Sequence, residues 1–307
     1  MKEIMSKKYQ KKHVVRITDG LGNQLFQYAF AYALYRRTGD DVLLDPLFWG
    51  TSLRKYQLDA FDIDIQNKMV SQSLDFVLGL GPRDARFFKD RYRQSLIKKN
   101  YELVEEKKIM SYDQEILSPS NDAYFIGFWQ NPMYFDKYYE ELKKQLILKS
   151  ELSDAAKQYA KKISEKTSVS LHIRRTDYVR DVGDATIDLS FYKTALLEIQ
   201  KTVGDYNLFV FSDDKNFVKE NFDLHDYILI QDVPDIEEFE LMRECDNHII
   251  ANSTFSWWAA YLASNKGGIV YAPCSSIWSS DFYYKEWNLI NVSTGQEKLE
   301  KQKKDGQ

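Results

Sequence analysis

Residues 168–178, SVSLHIRRTDY, carry a short β-branched and apolar run straight into two arginines, a threonine and an aspartate. Strand periodicity sends His172, Arg174 and Thr176 to one side, and Arg175 and Asp177 to the other, for as long as the strand lasts. Working outward, NLFVFS (207–212), DYILIQ (226–231), NHIIAN (247–252) and GGIVYA (267–272) are further runs of the same kind. Helical stretches separate them: SFYKTALLEIQKTVG, with Ser190 placed to cap and Gly204 to terminate, then DKNFVKENF, DIEEFELMREC and STFSWWAAYLASN. That alternation predicts βα units, and so a parallel sheet covered on both faces over about residues 165–292. The fold class is α/β.

The N-terminal part opens in the same way, with strand HVVRIT (13–18), helix LFQYAFAYALYRRTG closed by Gly39, and strand DVLLDP (41–46). Residues 47–120 have no clean period and are expected to be loops and helices. AYFIGFWQ (123–130) reads as a strand, PMYFDKYYEELKKQLIL as a helix begun by Pro132, and ELSDAAKQYAKKISEK as an interdomain helix. The chain divides into an N-terminal α/β domain at 1–150, a second domain at 151–292 and a polar tail at 293–307.

Composition narrows the function classes. The 307 residues are 44% hydrophobic and 15% aromatic, and the net charge of -4 gives no basic field for nucleic acid. Cys245 and Cys274 are too few for a disulfide framework and lack C-x-x-C spacing. No signal-peptide core is visible, and no run approaches the about 18 apolar residues of a membrane span, so the expected location is the cytoplasm.

Four stretches carry chemistry. In DGLGNQLFQYAF (19–30) a glycine turn joins strand to helix, where backbone N–H groups can approach an anion. The third glycine of the dinucleotide fingerprint and the Walker lysine are both missing, while Asn23 and Gln24 sit where open α/β sheets place ligands. In LHIRRTDY the two arginines offer planar, permanently charged forks suited to phosphate, although one of them is expected to form a structural pair with an aspartate. FVFSDD ends a strand in Asp213 and Asp214, one expected to cap the next helix and one to recognise a ligand. In ANSTFSWWAAYL, Ser253, Thr254 and Ser256 crowd a helix start, more hydroxyls than capping needs; Trp257 and Trp258 are assigned to packing.

Other chemistries lack support. FDIDIQ (61–66) contains a D-x-D, but its alternation reads as a half-buried strand with a solvated acidic face. The four histidines show no metal-ligand spacing, and no nucleophile elbow is present. Arginines on one strand end, acids on the next and hydroxyls on a later one describe a diphosphate-nucleotide site without an obligatory metal.

The stretches GLGNQLFQYAF, HIRRTD, FSDD and NSTFSWWAAYL, in this order and spacing, resemble the GDP-fucose-dependent α1,2-fucosyltransferases of glycosyltransferase family 11. The resemblance covers residue 14 to about residue 280 and is most specific in HIRRTD and NSTFSWW. It implies a GT-B-like fold of two Rossmann-type domains facing across a cleft, the first on the acceptor side and the second holding the donor. It implies metal-independent, inverting transfer of L-fucose to the 2-hydroxyl of a terminal galactose, with no cofactor beyond the GDP-fucose donor.

Carried across by residue, Arg174 grips the β-phosphate, and His172 and Arg175 support it. Asp213 or Asp214 reads guanine or ribose. Ser253, Thr254, Phe255 and Ser256 bind pyrophosphate, while Gly22 and Asn23 lie close to the diphosphate and the reacting sugar. The catalytic base stays open among Asp177, Asp181, Asp184 and Asp19. The family commonly has glycine where Asp19 stands, so either this carboxylate faces the acceptor or the turn sits farther from the phosphates than the family suggests.

Three alternatives remain: fucosyl transfer in an α1,6 linkage, O-linked transfer to protein, or a non-catalytic glycan- or nucleotide-binding protein of this fold. The partners implied are GDP-fucose and a galactose-terminated glycan, with peripheral access to lipid-linked glycans compatible with the absence of a spanning segment.

Overall fold

A computed structural model describes residues 10–46, 55–65, 100–175, 187–223, 226–263, 267–274 and 280–292. The chain forms two compact units, Met1–Ile147 and Leu148–Gln307.

In the first unit, β1 (Lys12–Arg16), β2 (Asp41–Asp45), β3 (Glu102–Glu105) and β4 (Ala123–Ile126) form a parallel sheet in the order β2-β1-β4-β3. Helix α1 (Leu21–Thr38) follows β1 and closes on Gly39, whose φ of 71° lets its N–H reach the Tyr35 carbonyl. From Leu21 to Leu34 every residue of α1 except Asn23 is buried. Such a helix is apolar on all sides because it lies within the core, and its rings are part of it: Phe30 stacks on Trp129 at 4.3 Å.

Three expectations change here. The helix expected from Pro132 is two 3-10 turns, Pro132–Tyr134 and Asp136–Tyr138, and then α2 (Tyr139–Gln145). Phe135 and Tyr138 are buried three residues apart, a spacing that the tighter turn superimposes. Strand β3 lies in the stretch read as having no strand; its ELVE sequence is exposed at both ends, as suits an edge strand. The strand expected at 61–66 is, over its described residues, only an isolated bridge at Phe61. Phe61 and Ile65 are buried while Asp62 and Asp64 are exposed, so the alternation is real without a ladder.

In the second unit, β5 (Ser168–Ile173), β6 (Asn207–Ser212), β7 (Ile228–Leu229), β8 (Asn247–Ile249), β9 (Val270–Cys274) and β10 (Asn288–Asn291) form a parallel sheet ordered β10-β9-β8-β5-β6-β7. All six residues of β5 are buried, as expected of a central strand covered on both faces. The helices are α3 (Asp154–Ser164), α4 (Leu189–Val203), α5 (Lys215–Asn221), α6 (Asp235–Glu244) and α7 (Thr254–Tyr261). α4 is capped by Asp188, which accepts from the Ser190 N–H, rather than by Ser190; Gly204 ends it as expected. The core between α4 and the sheet holds Leu171, Phe191, Ala195, Ile199, Leu208 and Val210. Trp257 and Trp258 are fully buried, and the Trp257 indole N–H donates to the Phe282 carbonyl at 2.6 Å.

Both strand orders contain one place where the chain reverses the direction in which it adds strands. In the first sheet it lies between β1 and β4, and in the second between β5 and β8. Open α/β sheets bind ligands outside the carboxyl ends of the strands at such switch points.

Candidate active site

The switch point of the second sheet brings the charged stretch after β5 beside the end of β6 and the start of α7. Asp213 anchors the arginines: its Oδ1 accepts the Arg175 backbone N–H at 2.9 Å, and its Oδ2 lies 3.2 Å from Arg174 Nη1. Both side chains of that ion pair are 18% exposed, so the guanidinium is held at the edge of solvent with its charge only partly screened. Asp214 caps α5 by accepting the Phe217 N–H at 3.0 Å. Arg175 lies with its guanidinium carbon 3.6 Å from the centre of the Phe217 ring, and its Nε is 3.7 Å from Asp214. Each arginine therefore has an aspartate, where the sequence suggested a structural pair for only one.

Two neighbours had no signal in the sequence. Lys215 Nζ donates to the Ser212 carbonyl at 3.1 Å and pairs with Glu238 of α6 at 2.7 Å, adding a third cation to this edge. Glu238 has a raised pKa, first because it is buried, with Lys215 working in the opposite direction. Finding this pair needed the fold, because it joins residues on separate helices.

His172, the fifth residue of β5, is 5% exposed, and its ring lies 5.9 Å from Phe255. Its pKa is pushed far below the ordinary imidazole range, first by burial and then by the Arg174 charge. At neutral pH it is an uncharged wall of the site and not a cation.

At the start of α7, Ser253 is the N-cap residue but makes no side-chain cap bond. Ser256 Oγ donates inward to the Ser253 carbonyl at 3.3 Å. The N–H groups of Thr254, Phe255 and Ser256 have no acceptor within the helix and form an anion-directed edge. Thr254 and Phe255 are partly exposed there, while Ser253 and Ser256 are buried. Asp177, Asp181 and Asp184 lie outside the described residues.

In the first unit, the opening turn shows where Asp19 points. Asp19 has φ 71°, a conformation that Asp tolerates and most residues avoid, and its carboxylate folds back onto its own turn. Oδ1 accepts the Gly20 N–H at 2.9 Å, and Oδ2 accepts Asn23 Nδ2 at 3.0 Å. Asn23 Oδ1 accepts in turn from Gln130 Nε2 at 2.8 Å. Gln24 is committed to the protein: Nε2 donates to the carbonyls of Asp19 and Lys55, and Oε1 accepts the Gln57 N–H. Gly22 is buried in the first turn of α1. Gln130, which the sequence did not single out, ties the loop after β4 to that turn.

The sequence profile of glycosyl transferase family 11 matches residues 12–291. The chain belongs to this family. It is 31% identical over 271 residues to an Escherichia coli protein named alpha-1,2-colitosyltransferase, covering 85% of this chain and 90% of that one. It is 28% identical over 279 residues to the E. coli O-antigen biosynthesis glycosyltransferase WbnK, covering 84% and 92%. Among solved structures it is similar to the fucosyltransferase NodZ from Bradyrhizobium, with a TM-score of 0.50, 16% identity, and coverage of 85% of this chain and 97% of that one. At that identity the likeness concerns the fold, which is GT-B-like, as the sequence resemblance implied. No helix among the described residues of this family 11 member is long and apolar enough to cross a membrane.

Proposed function

We propose that this glycosyltransferase moves L-fucose from GDP-β-L-fucose to the 2-hydroxyl of a terminal galactose in a glycan, with inversion and without a required metal ion. The observation that carries the reading is the gathering of Arg174, Arg175 and the start of α7 at one switch point, in a chain of family 11. Departing GDP accumulates negative charge on its β-phosphate. A guanidinium already held in place by Asp213 stabilises that charge without reorganising when the bond breaks. Arginine remains charged at any working pH, so the stabilisation does not depend on a proton.

In this reading the N–H groups of Thr254, Phe255 and Ser256 receive the other phosphate oxygens. His172, uncharged, keeps water from the back of the site. Arg174, Arg175 and Lys215, each held in place by a carboxylate, offer the diphosphate charge-assisted donors. Asp213 acts on the nucleotide through the arginines, since its carboxylate already joins the ends of β5 and β6, while Asp214 caps α5. Asp177 is the candidate base. The free cysteines Cys245 and Cys274 suit a reducing cytoplasm, where the acceptor is a galactose-terminated oligosaccharide or lipid-linked glycan.

A second reading keeps the linkage and changes the sugar. The relative named alpha-1,2-colitosyltransferase favours testing GDP-colitose, whose sugar is fucose lacking the 3-hydroxyl. The deciding experiment incubates the protein with both GDP-sugars and a panel of galactosides, with and without EDTA, and assigns the product linkage by NMR. An α1,2-fucosyl galactoside formed in EDTA is the expected result. A different linkage, a requirement for metal, or GDP binding with no product from any galactoside would each overturn the corresponding part of the reading.

A further inference from the structure

The switch point of the first sheet carries a hydrogen-bonded chain that spans its two strand ends. Asp19 and Asn23 follow β1, Gln130 follows β4, and the two strands are neighbours in the sheet. The polarity of that chain is dictated by chemistry. An ionised carboxylate only accepts, so Asn23 must offer Nδ2 to Asp19 and is left with Oδ1 facing Gln130. Gln130 must answer with Nε2, which leaves its Oε1 as the free end of the chain. The loop that carries Gln130 is held from both sides: Glu106 Oε2 accepts the Phe128 N–H at 2.8 Å, and Gln27 Nε2 donates to the Gly127 carbonyl at 3.2 Å. Trp129 is held at φ 57°, and Asn131 Nδ2 donates to the Met110 carbonyl at 3.0 Å. Gln130 itself is 7% exposed. An amide fixed in one orientation at the carboxyl edge of a parallel sheet, with a carboxylate behind it, suits a neutral hydroxylated ligand. A diphosphate at the Gln130 end would meet the Asp19 charge through only two intervening amides.

We propose that Gln130 is a glycan-binding residue of this chain, presenting Oε1 and its remaining N–H to hydroxyls of the acceptor sugar, with Asp19 the positioning residue that fixes its orientation through Asn23. The inference rests on the acceptor being a galactose-terminated glycan, as proposed above, and adds the residues that read it. It also gives Asp19 a task in this chain that a glycine at the same position does not perform.

Binding separates this inference from the transfer reaction itself. Saturation-transfer NMR titrates a β-galactoside disaccharide into the GDP-loaded protein, for the wild type and for Gln130→Ala and Asp19→Asn, with GDP affinity and melting temperature measured alongside. The expected result for Gln130→Ala is about a tenfold loss of galactoside affinity, the size of one good hydrogen bond, with GDP affinity unchanged. Asp19→Asn keeps the turn but no longer dictates which way the amides point, so it gives a smaller loss of about threefold with the melting temperature preserved. Galactoside affinity equal to wild type in a folded Gln130→Ala protein overturns the proposal, as does a loss confined to GDP, or a wild type that binds GDP but no galactoside. Galactoside binding that depends on Gln130 in a protein that forms no product would sink the transfer reading and leave this one standing.

Discussion

Asp213 and Asp214 are adjacent and set to different tasks. Asp214 caps α5, and removing its carboxylate costs a helix cap, about 1 kcal/mol. Asp214→Ala should therefore lower the melting temperature with little change in the donor KM. Asp213 holds the Arg174 guanidinium and the Arg175 N–H, so Asp213→Ala releases a charged group at the site. It should raise the donor KM about tenfold by steady-state kinetics, a loss of the order of one charge-assisted hydrogen bond. Equal effects of the two variants on the donor KM would contradict this division. One capping acid and one other was legible in FSDD. That the other grips an arginine was not, because the partner lies on a different strand and only the β5–β6 register brings them together.

At the scale of elements, the loop after β4 is closely packed. A Cβ on Gly127 would lie 2.6 Å from the Glu106 Cβ and 2.8 Å from the Trp129 ring. Gly127→Ala must displace the loop, at a cost of about 1–3 kcal/mol, read by denaturant unfolding, and should shift Gln130 with it. An Ala variant as stable as wild type would mean that the loop is looser than its contacts indicate. The sequence rendered the second unit well, since every strand but β10 repeats one apolar pattern and helices fall between. It rendered β3 and the stretch from Pro132 to Tyr138 poorly, for identifiable reasons. β3 is a short charged edge strand, and the 3-10 turns after Pro132 have the composition of a helix with a different spacing of buried rings. The site was legible where it depends on residue type, in Arg174 and Arg175. It was hidden where it depends on pairing across elements, in Lys215 with Glu238; in the first unit the pairing of Gln130 with Asn23 was hidden for the same reason.

For the whole molecule, buried histidines set the response to acid. His248, bonded through Nδ1 to Ser170 Oγ at 2.8 Å, has its pKa pushed down to about 4 by burial, and burial also lowers His172 and His13. Each has a folded pKa below its unfolded value, so the unfolded chain takes up more protons. The stability these groups contribute is present above about pH 6.5 and is lost as the pH falls. Between about pH 7.5 and about pH 5.5 each histidine that stays neutral in the fold costs about 1.3 kcal/mol. The raised carboxyls Glu106, Glu238, Glu240 and Glu244 act in the opposite sense and reduce the loss toward lower pH. Urea unfolding at the two pH values should show a net decrease in stability, and an increase would contradict the buried, neutral assignment. The most direct test of the central claim, that the β5 edge stabilises a departing GDP, is the turnover of Arg174→Ala with GDP-fucose and a galactoside. The account predicts a kcat lower by about a hundredfold or more in a protein that melts as the wild type does. Near-normal transfer by that folded variant would contradict it.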